Sequence, residues 1–118
     1  MGGARTYSHV MRSLILAAAI SVLMAVPASA ATRTVRVDDD YFVRSGSAPT
    51  VTVSRYTVVK WRWRGSRRHN VAVQTGPAYF RSTTKRSGRY KKTMRTRGSY
   101  RIVCTIHEPD MRMRLVVD

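Results

Sequence analysis

Several residue types are scarce in this chain of 118 residues. It holds one cysteine, Cys104, and three histidines, of which two follow residue 30. One cysteine excludes an intramolecular disulfide, so a small domain must be stabilised by its core or by a bound group. Acidic residues are also few: six stand against 22 lysines and arginines, which gives a formal net charge of +16. A balance this basic favours anionic partners.

The first thirty residues have the three parts of a secretory signal. Two arginines supply positive charge, residues 14–26 form an apolar run, and residues 28–30 have the small side chains that a signal peptidase requires. The apolar run is short for a membrane span. We therefore expect residues 1–30 to be a signal peptide. Residues 31–118 are expected to form one domain in the periplasm, in the cell envelope or outside the cell.

The predicted mature domain is strongly basic. It keeps 20 of the basic residues, sixteen of them arginine, and all six acidic ones, so its net charge is +14. Such a surface suits an acidic protein, an anionic cell-surface polymer or lipid headgroups. A basic surface also attracts the phosphates of nucleic acid, but export makes nucleic acid an unexpected partner. An arginine-rich face that is merely solvated stays an alternative.

Residues 31–118 consist of short runs in which polar and apolar side chains alternate, with no helical stripe of useful length. Period-two runs separated by Gly, Ser and Pro predict an all-β, Greek-key antiparallel sandwich or barrel of about seven to eight strands. At most one helical turn fits, within residues 78–87. The alternation places these side chains on inward faces: Val59, Trp61, Met111, Met113, Leu115 and Val117. Met94 is predicted to fill the core, and the position of Trp63 stays open.

Asp38, Asp39 and Asp40 form a local acidic spot in an otherwise basic chain. They follow an alternating run that ends near residue 37. A cluster of like charges is usually a solvated surface. We interpret the triplet as a solvated strand end.

The rarest ligand-type side chains gather in one short segment. Cys104 precedes His107 by three residues, Met111 follows it by four, and His69 lies thirty-five residues before the cysteine. A thiolate and two imidazoles in a trigonal array, with a weak thioether on the axis, form a blue-copper electron-transfer site. A loop between adjacent strands can direct three of these side chains to one point. The sequence therefore predicts a copper site.

These segments resemble the cupredoxin family over residues 34–118. Residues 59–61 leading into residues 69–71 resemble the segment that carries the family's first ligand. Residues 98–104 resemble its approach to the second ligand, and residues 111–117 resemble its closing strand. The likeness is to the small bacterial plastocyanin-like and amicyanin-like members.

The resemblance implies a type 1 copper protein with one copper ion. His69, Cys104 and His107 would be its equatorial ligands, and Met111 its axial ligand. Asn70 matches a family residue that braces the ligand loop, commonly through the hydroxyl residue after the cysteine, which is Thr105 here. Such a contact orients the ligands without touching the metal.

The segment between His107 and Met111 departs from the family pattern. Its length falls between the shorter and the longer His-to-Met spacings of the family members that this chain resembles. It also contains Glu108 and Asp110 where the family presents an apolar surface. The axial ligand therefore has alternatives. Met113 could serve, although its parity suits a core position, and a carboxylate oxygen of Glu108 is a further option.

Three functions are compatible with this sequence. The first is a monomeric one-electron carrier that docks transiently on an acidic redox protein. The second is a copper-delivery protein with the same ligands, and the third is a basic module that binds a polyanion without a metal. An enzyme is not expected, because copper enzymes of this architecture need further domains and more histidines than two.

Overall fold

The computed structural model describes Ser21 and residues 30–118, so the predicted signal peptide lies almost wholly outside the described residues. Eight strands form the domain: β1 (Thr32–Asp38), β2 (Tyr41–Phe42), β3 (Thr50–Val53), β4 (Val58–Trp63), β5 (Ala72–Thr75), β6 (Arg89–Thr93), β7 (Gly98–Val103) and β8 (Arg112–Val117). None of the described residues is helical. The single helical turn that the sequence allowed within residues 78–87 therefore does not form. Among the described residues, no helix has the length and apolarity to cross a membrane.

The strands form two four-stranded sheets. The first has the order β2-β1-β4-β6, and the second has the order β3-β8-β7-β5. The predicted all-β sandwich is confirmed. Its sheets are mixed rather than wholly antiparallel, because β1 pairs with β4 and β3 pairs with β8 in parallel. Both pairs join strands that are distant in the chain, and a period-two pattern carries no information about strand direction.

Alternation along the strands determines which side chains form the core. Trp61 and Leu115 are fully buried, and their sequence neighbours on the same strands point outward. The inward face predicted for β8 is confirmed, since Met113, Leu115 and Val117 are at most 2% exposed. Met94 is buried as predicted, and Trp63 is buried too. The core therefore lies between the two sheets, and arginines occupy the outward positions.

Three connections meet at one end of the sandwich. Val37 pairs with Trp63 in the first sheet, and Val103 pairs with Arg112 in the second. The β1–β2 turn, the β4–β5 segment and the β7–β8 loop all begin at this end. The β1–β2 turn has only two residues between the paired Asp38 and Tyr41. Asparagine and aspartate tolerate left-handed backbone better than most residues, and Asp40 has φ 72° in this turn.

Candidate metal centre

His69 lies in the β4–β5 segment and is held by its own backbone. Its N–H donates to the carbonyl of Lys85, and the Lys85 N–H donates back to the His69 carbonyl, both at 3.0 Å. The Trp63 indole N–H also donates to the His69 carbonyl, at 3.2 Å. The side chain is 0% exposed. Main chain and packing together leave the imidazole little freedom to move.

Cys104 and Met111 bracket a tight loop between β7 and β8. The Cys104 N–H donates to the Met111 carbonyl at 3.1 Å, which continues the antiparallel ladder by one step. Within the loop, the His107 N–H donates to the Cys104 carbonyl at 3.2 Å, and the Met111 N–H donates to the His107 carbonyl at 3.1 Å. Both sulfur-bearing side chains are 0% exposed. The loop therefore brings the thiol, the thioether and one imidazole to one place.

The three nitrogen and sulfur side chains converge as the sequence predicts. Cys104 Sγ lies 4.0 Å from Nδ1 of His69 and 3.6 Å from Nδ1 of His107. One ligand atom from each residue lies within 4.8 Å of the other two. With bonds of roughly 2.3 Å to sulfur and 2.0 Å to nitrogen, as for zinc, and trigonal angles, the expected S···N separation is about 3.7 Å. The arrangement has room for one metal ion.

The strand register distinguishes the two candidate methionines. Met111 is opposite Cys104 at the loop end of the β7–β8 pair, whereas Met113 pairs with Ile102 two residues further from the loop. Residues two apart on a strand are separated by roughly 6.6 Å along its axis. Met111 is thus the methionine beside the thiol, and Met113 packs in the core. Glu108 lies in an exposed part of the loop.

Asn70 links the two segments that carry the candidate ligands. Its Nδ2 donates to Thr105 Oγ1 at 2.8 Å, and its Oδ1 accepts the Thr105 backbone N–H at 2.8 Å. Nδ2 also reaches Thr84 Oγ1 at 3.3 Å. Asn70 is 0% exposed, so its amide depends on these partners. The structure brings Asn70 and Thr105 together, next to His69 and Cys104 in the chain.

Two aspartates also face the site, and sequence reasoning missed them. Asp39 Oδ1 lies 3.0 Å from Nε2 of His69, and Asp40 Oδ1 lies 3.5 Å from Nε2 of His107. Hydrogen bonds from His69 and from the backbone N–H groups of Arg67 and Ser66 hold the pKa of Asp39 well below its usual range. The interpretation of the triplet as a solvated strand end is wrong for Asp39, whose carboxylate is bonded to His69. It holds for Asp40, whose side chain is 51% exposed. The one available signal was acidity in a basic chain, which does not reveal where the turn points.

One edge of the site reaches the surface. The His107 side chain is 29% exposed, in contrast to the buried His69. A shallow groove beside it is lined by Ile106 and by three arginines, Arg67, Arg68 and Arg86. Ile106 is itself 52% exposed. The surface around the accessible imidazole therefore combines one exposed apolar side chain and three arginines with the exposed carboxylate of Asp40.

Comparison with solved structures agrees with this description. The chain is 27% identical to the Cu(I) form of a methionine-to-alanine variant of amicyanin, with a TM-score of 0.62, over 78% of this chain and 86% of that one. It is 27% identical to a reduced Cu(I) form of a proline-to-glycine variant, with a TM-score of 0.61, over 79% and 86%. The fold is that of a cupredoxin. An oxidized proline-to-alanine variant gives 26% identity and a TM-score of 0.62 over 74% and 82%.

No protein-family model and no curated protein sequence matches the chain. The similarity to amicyanin therefore rests on the three-dimensional fold together with the cluster formed by His69, Cys104, His107 and Met111. A soft thiolate, two imidazoles and a thioether suit copper in both of its common oxidation states. The residues present thus fit the metal that this cupredoxin fold implies.

Proposed function

We propose that this protein is an exported type 1 copper protein that carries one electron at a time. The observation that carries the proposal is the buried thiol of Cys104, with Nδ1 of His107 and of His69 at 3.6 and 4.0 Å. A bound copper ion would exchange one electron between Cu(II) and Cu(I). His69, Cys104, His107 and Met111 would hold the ion.

The protein's part in such a reaction is to keep the ligands still. The His69 backbone is fixed by its pairing with Lys85, and the amide of Asn70 ties the neighbouring segment to Thr105. Ligands that cannot relax favour electron transfer, because little energy is spent on reorganisation when the charge changes. The partly exposed ring of His107 would provide the path for the electron, since it joins the buried site to the surface.

The charge of the molecule suggests the kind of partner. Arg67, Arg68 and Arg86 lie beside the exposed His107 edge, and the whole domain is basic. We propose that an acidic redox protein docks there briefly while the carrier remains a monomer. Electrostatic attraction raises encounter rates without requiring tight binding. Anionic envelope polymers or lipid headgroups would bind the same arginines, whereas nucleic acid is not a proposed partner.

Voltammetry of the copper-loaded protein tests the electron-carrier function. We expect a reversible one-electron wave and full retention of copper over repeated cycles. Mixing the Cu(I) protein with a strong Cu(I) chelator is the companion measurement. Slow copper loss supports a carrier, whereas complete loss within the mixing time together with an irreversible wave indicates copper delivery. Retention on a heparin matrix that is unaffected by Cys104→Ala, with no copper binding, would indicate a polyanion-binding module.

Export belongs to the same proposal, which includes no enzymatic role. Residues 1–30 would direct the chain out of the cytoplasm, and cleavage after Ala30 would leave Ala31 as the first residue. N-terminal sequencing of the protein recovered from the envelope or the medium checks this prediction. Protein recovered from the envelope or the medium that still begins at Met1 would contradict it.

A further inference from the structure

The carboxylate of Asp39 occupies a defined position behind the His69 ring. Its Oδ1 lies 3.0 Å from Nε2, the imidazole nitrogen that faces away from the thiol. The other nitrogen, Nδ1, faces Cys104 Sγ. A neutral imidazole has one N–H, so a proton held at Nε2 leaves Nδ1 with a lone pair for a metal. The contact thus favours the tautomer that a copper ligand requires.

Backbone N–H groups of the chain hold this carboxylate in place. Its oxygens accept the backbone N–H of Ser66 at 3.1 Å and of Arg67 at 2.9 Å. Gly65 leaves the space that the carboxylate fills, because a Cβ at this position would overlap Asp39 Oδ1. A side chain anchored by two backbone donors and accommodated by a glycine has a fixed orientation. The β1–β2 turn and the β4–β5 segment are therefore joined at the rear of the ligand.

The neighbouring aspartates provide an internal comparison. Asp40 Oδ1 approaches Nε2 of His107 at 3.5 Å, and its other oxygen accepts a bond from Arg67 at 3.2 Å. Asp38 bonds to Arg36 and to the Asp39 backbone N–H. The three carboxylates of one turn thus stand in three relations to the site. One is bonded to a buried imidazole, one lies beside an exposed imidazole, and one is engaged with an arginine.

We propose that Asp39 is a positioning residue for copper, which fixes the His69 tautomer through Nε2–H and strengthens Nδ1 as a ligand. The inference rests on the proposed copper site. A carboxylate that accepts the N–H of a ligating histidine orients the ring and raises its basicity, and loss of such a partner typically costs about 10–100-fold in metal affinity. A more basic imidazole stabilises Cu(II) more than Cu(I). Asp39 therefore lowers the reduction potential of the site.

The test compares Asp39→Ala and Asp39→Asn with Asp38→Asn in the purified protein. Asp38→Asn removes a charge from the same turn and keeps the contacts of Asp39, so it corrects for the general effect of charge. We expect Asp39→Ala to weaken Cu(II) binding about tenfold relative to Cu(I), which is a rise of about 59 mV in potential. Asp39→Asn, which keeps an acceptor oxygen, should give a smaller rise. Equal potentials for Asp39→Ala and Asp38→Asn would overturn the inference.

A second measurement uses no metal. In the copper-free protein, nitrogen-15 spectra of the imidazoles should show His69 with its proton on Nε2 and slow exchange with water. Asp39→Ala and Gly65→Ala should each mix the tautomers and speed the exchange, and Gly65→Ala keeps the test available if Asp39→Ala fails to fold. An unchanged His69 spectrum in both variants would contradict the role of Asp39. If the wild-type protein shows the protected proton but binds no copper, the proposed function fails instead.

Discussion

The two histidines of the site sit in different surroundings. His69 is fully buried, its backbone is paired on both sides with Lys85, and its outer nitrogen meets an anchored carboxylate at 3.0 Å. His107 lies on a loop, is 29% exposed, and has a carboxylate no closer than 3.5 Å to its outer nitrogen. His69 and its surroundings, the buried corner of the site, are held in place. His107 and its surroundings, the exposed corner, are accessible from the surface.

The difference shows how one small domain can combine rigidity with access. A redox centre that is buried on every side exchanges electrons slowly, and one that is open to water must reorganise when its charge changes. Here the sandwich core and the β1–β2 turn enclose His69, while the β7–β8 loop leaves the His107 edge at the surface. The division of roles between the two ligands can be examined by changing one corner at a time.

Removing each imidazole should give the largest effect and the clearest contrast. His69→Gly leaves a closed cavity, whereas His107→Gly leaves an opening to solvent. We expect both variants to lose the visible thiolate-to-copper absorption band that the copper-loaded wild-type protein should show. Added imidazole should restore it in His107→Gly but not in His69→Gly, because only the first hole is accessible. Titration with imidazole, followed by absorption, measures this. Equal recovery in both variants would contradict the assignment of buried and exposed corners.

Replacing the methionines should affect the spectrum and potential strongly at one position and weakly at the other. Met111 lies opposite Cys104, while Met113 packs two residues further from the loop, in the core. Met111→Leu removes a thioether beside the metal and should shift the visible bands and raise the potential. Met113→Leu is a volume-conserving core change and should cost less than about 1.5 kcal/mol in stability, with an unchanged spectrum. The reverse result would assign the axial position to Met113.

Removing the hydrogen bonds between Asn70 and Thr105, which join the segment of His69 to the loop of His107, should have an intermediate effect. Asn70→Ala leaves the Thr105 N–H without its partner and should cost about 1–3 kcal/mol of unfolding free energy. Chemical denaturation of the copper-free protein measures this. Thr84→Val is the matched control, because it removes only the longer 3.3 Å contact of the same amide. Asn70→Ala no more destabilising than Thr84→Val would show that the hydrogen bonds to Thr105 are weak.

Changing the charge beside the exposed corner should have the smallest effect. Arg86 lines the groove next to His107. Arg86→Gln should slow the oxidation of the Cu(I) protein by an anionic reagent such as ferricyanide by a few-fold at low salt, and the difference should vanish at high salt. The potential should not change. Arg55→Gln, at a distant position, is the control, and an equal slowing by both would mean that only net charge matters.

Much of this organisation was predictable from the sequence, for physical reasons. Scarcity identified Cys104 and His107, because two rare ligand types three residues apart at a strand end must lie close together. Period-two alternation predicted the inward faces, since burial on a strand follows the side-chain period. These signals are local, and the structure agrees with them. The ligand roles themselves stay predictions until a metal is bound.

The features that the sequence did not reveal depend on contacts between distant segments. Whether β1 and β4 run in parallel is decided by packing of the sheets, which leaves no mark in the alternation. The carboxylate behind His69 comes from thirty residues earlier in the chain. Nothing in three adjacent aspartates indicates which of them a two-residue turn will direct inward. Gly65 gave no signal either, because its space is needed only once the turn has folded against it.

The visible absorption and electron paramagnetic resonance spectra of the purified protein after addition of one equivalent of Cu(II) test the central claim most directly. If His69, Cys104 and His107 bind copper together, an intense thiolate-to-copper band should appear with a small copper hyperfine splitting. Cys104→Ala should abolish the band and leave the fold intact. A wild-type protein that stays colourless with one equivalent of Cu(II), or a band that survives in Cys104→Ala, would contradict the assignment.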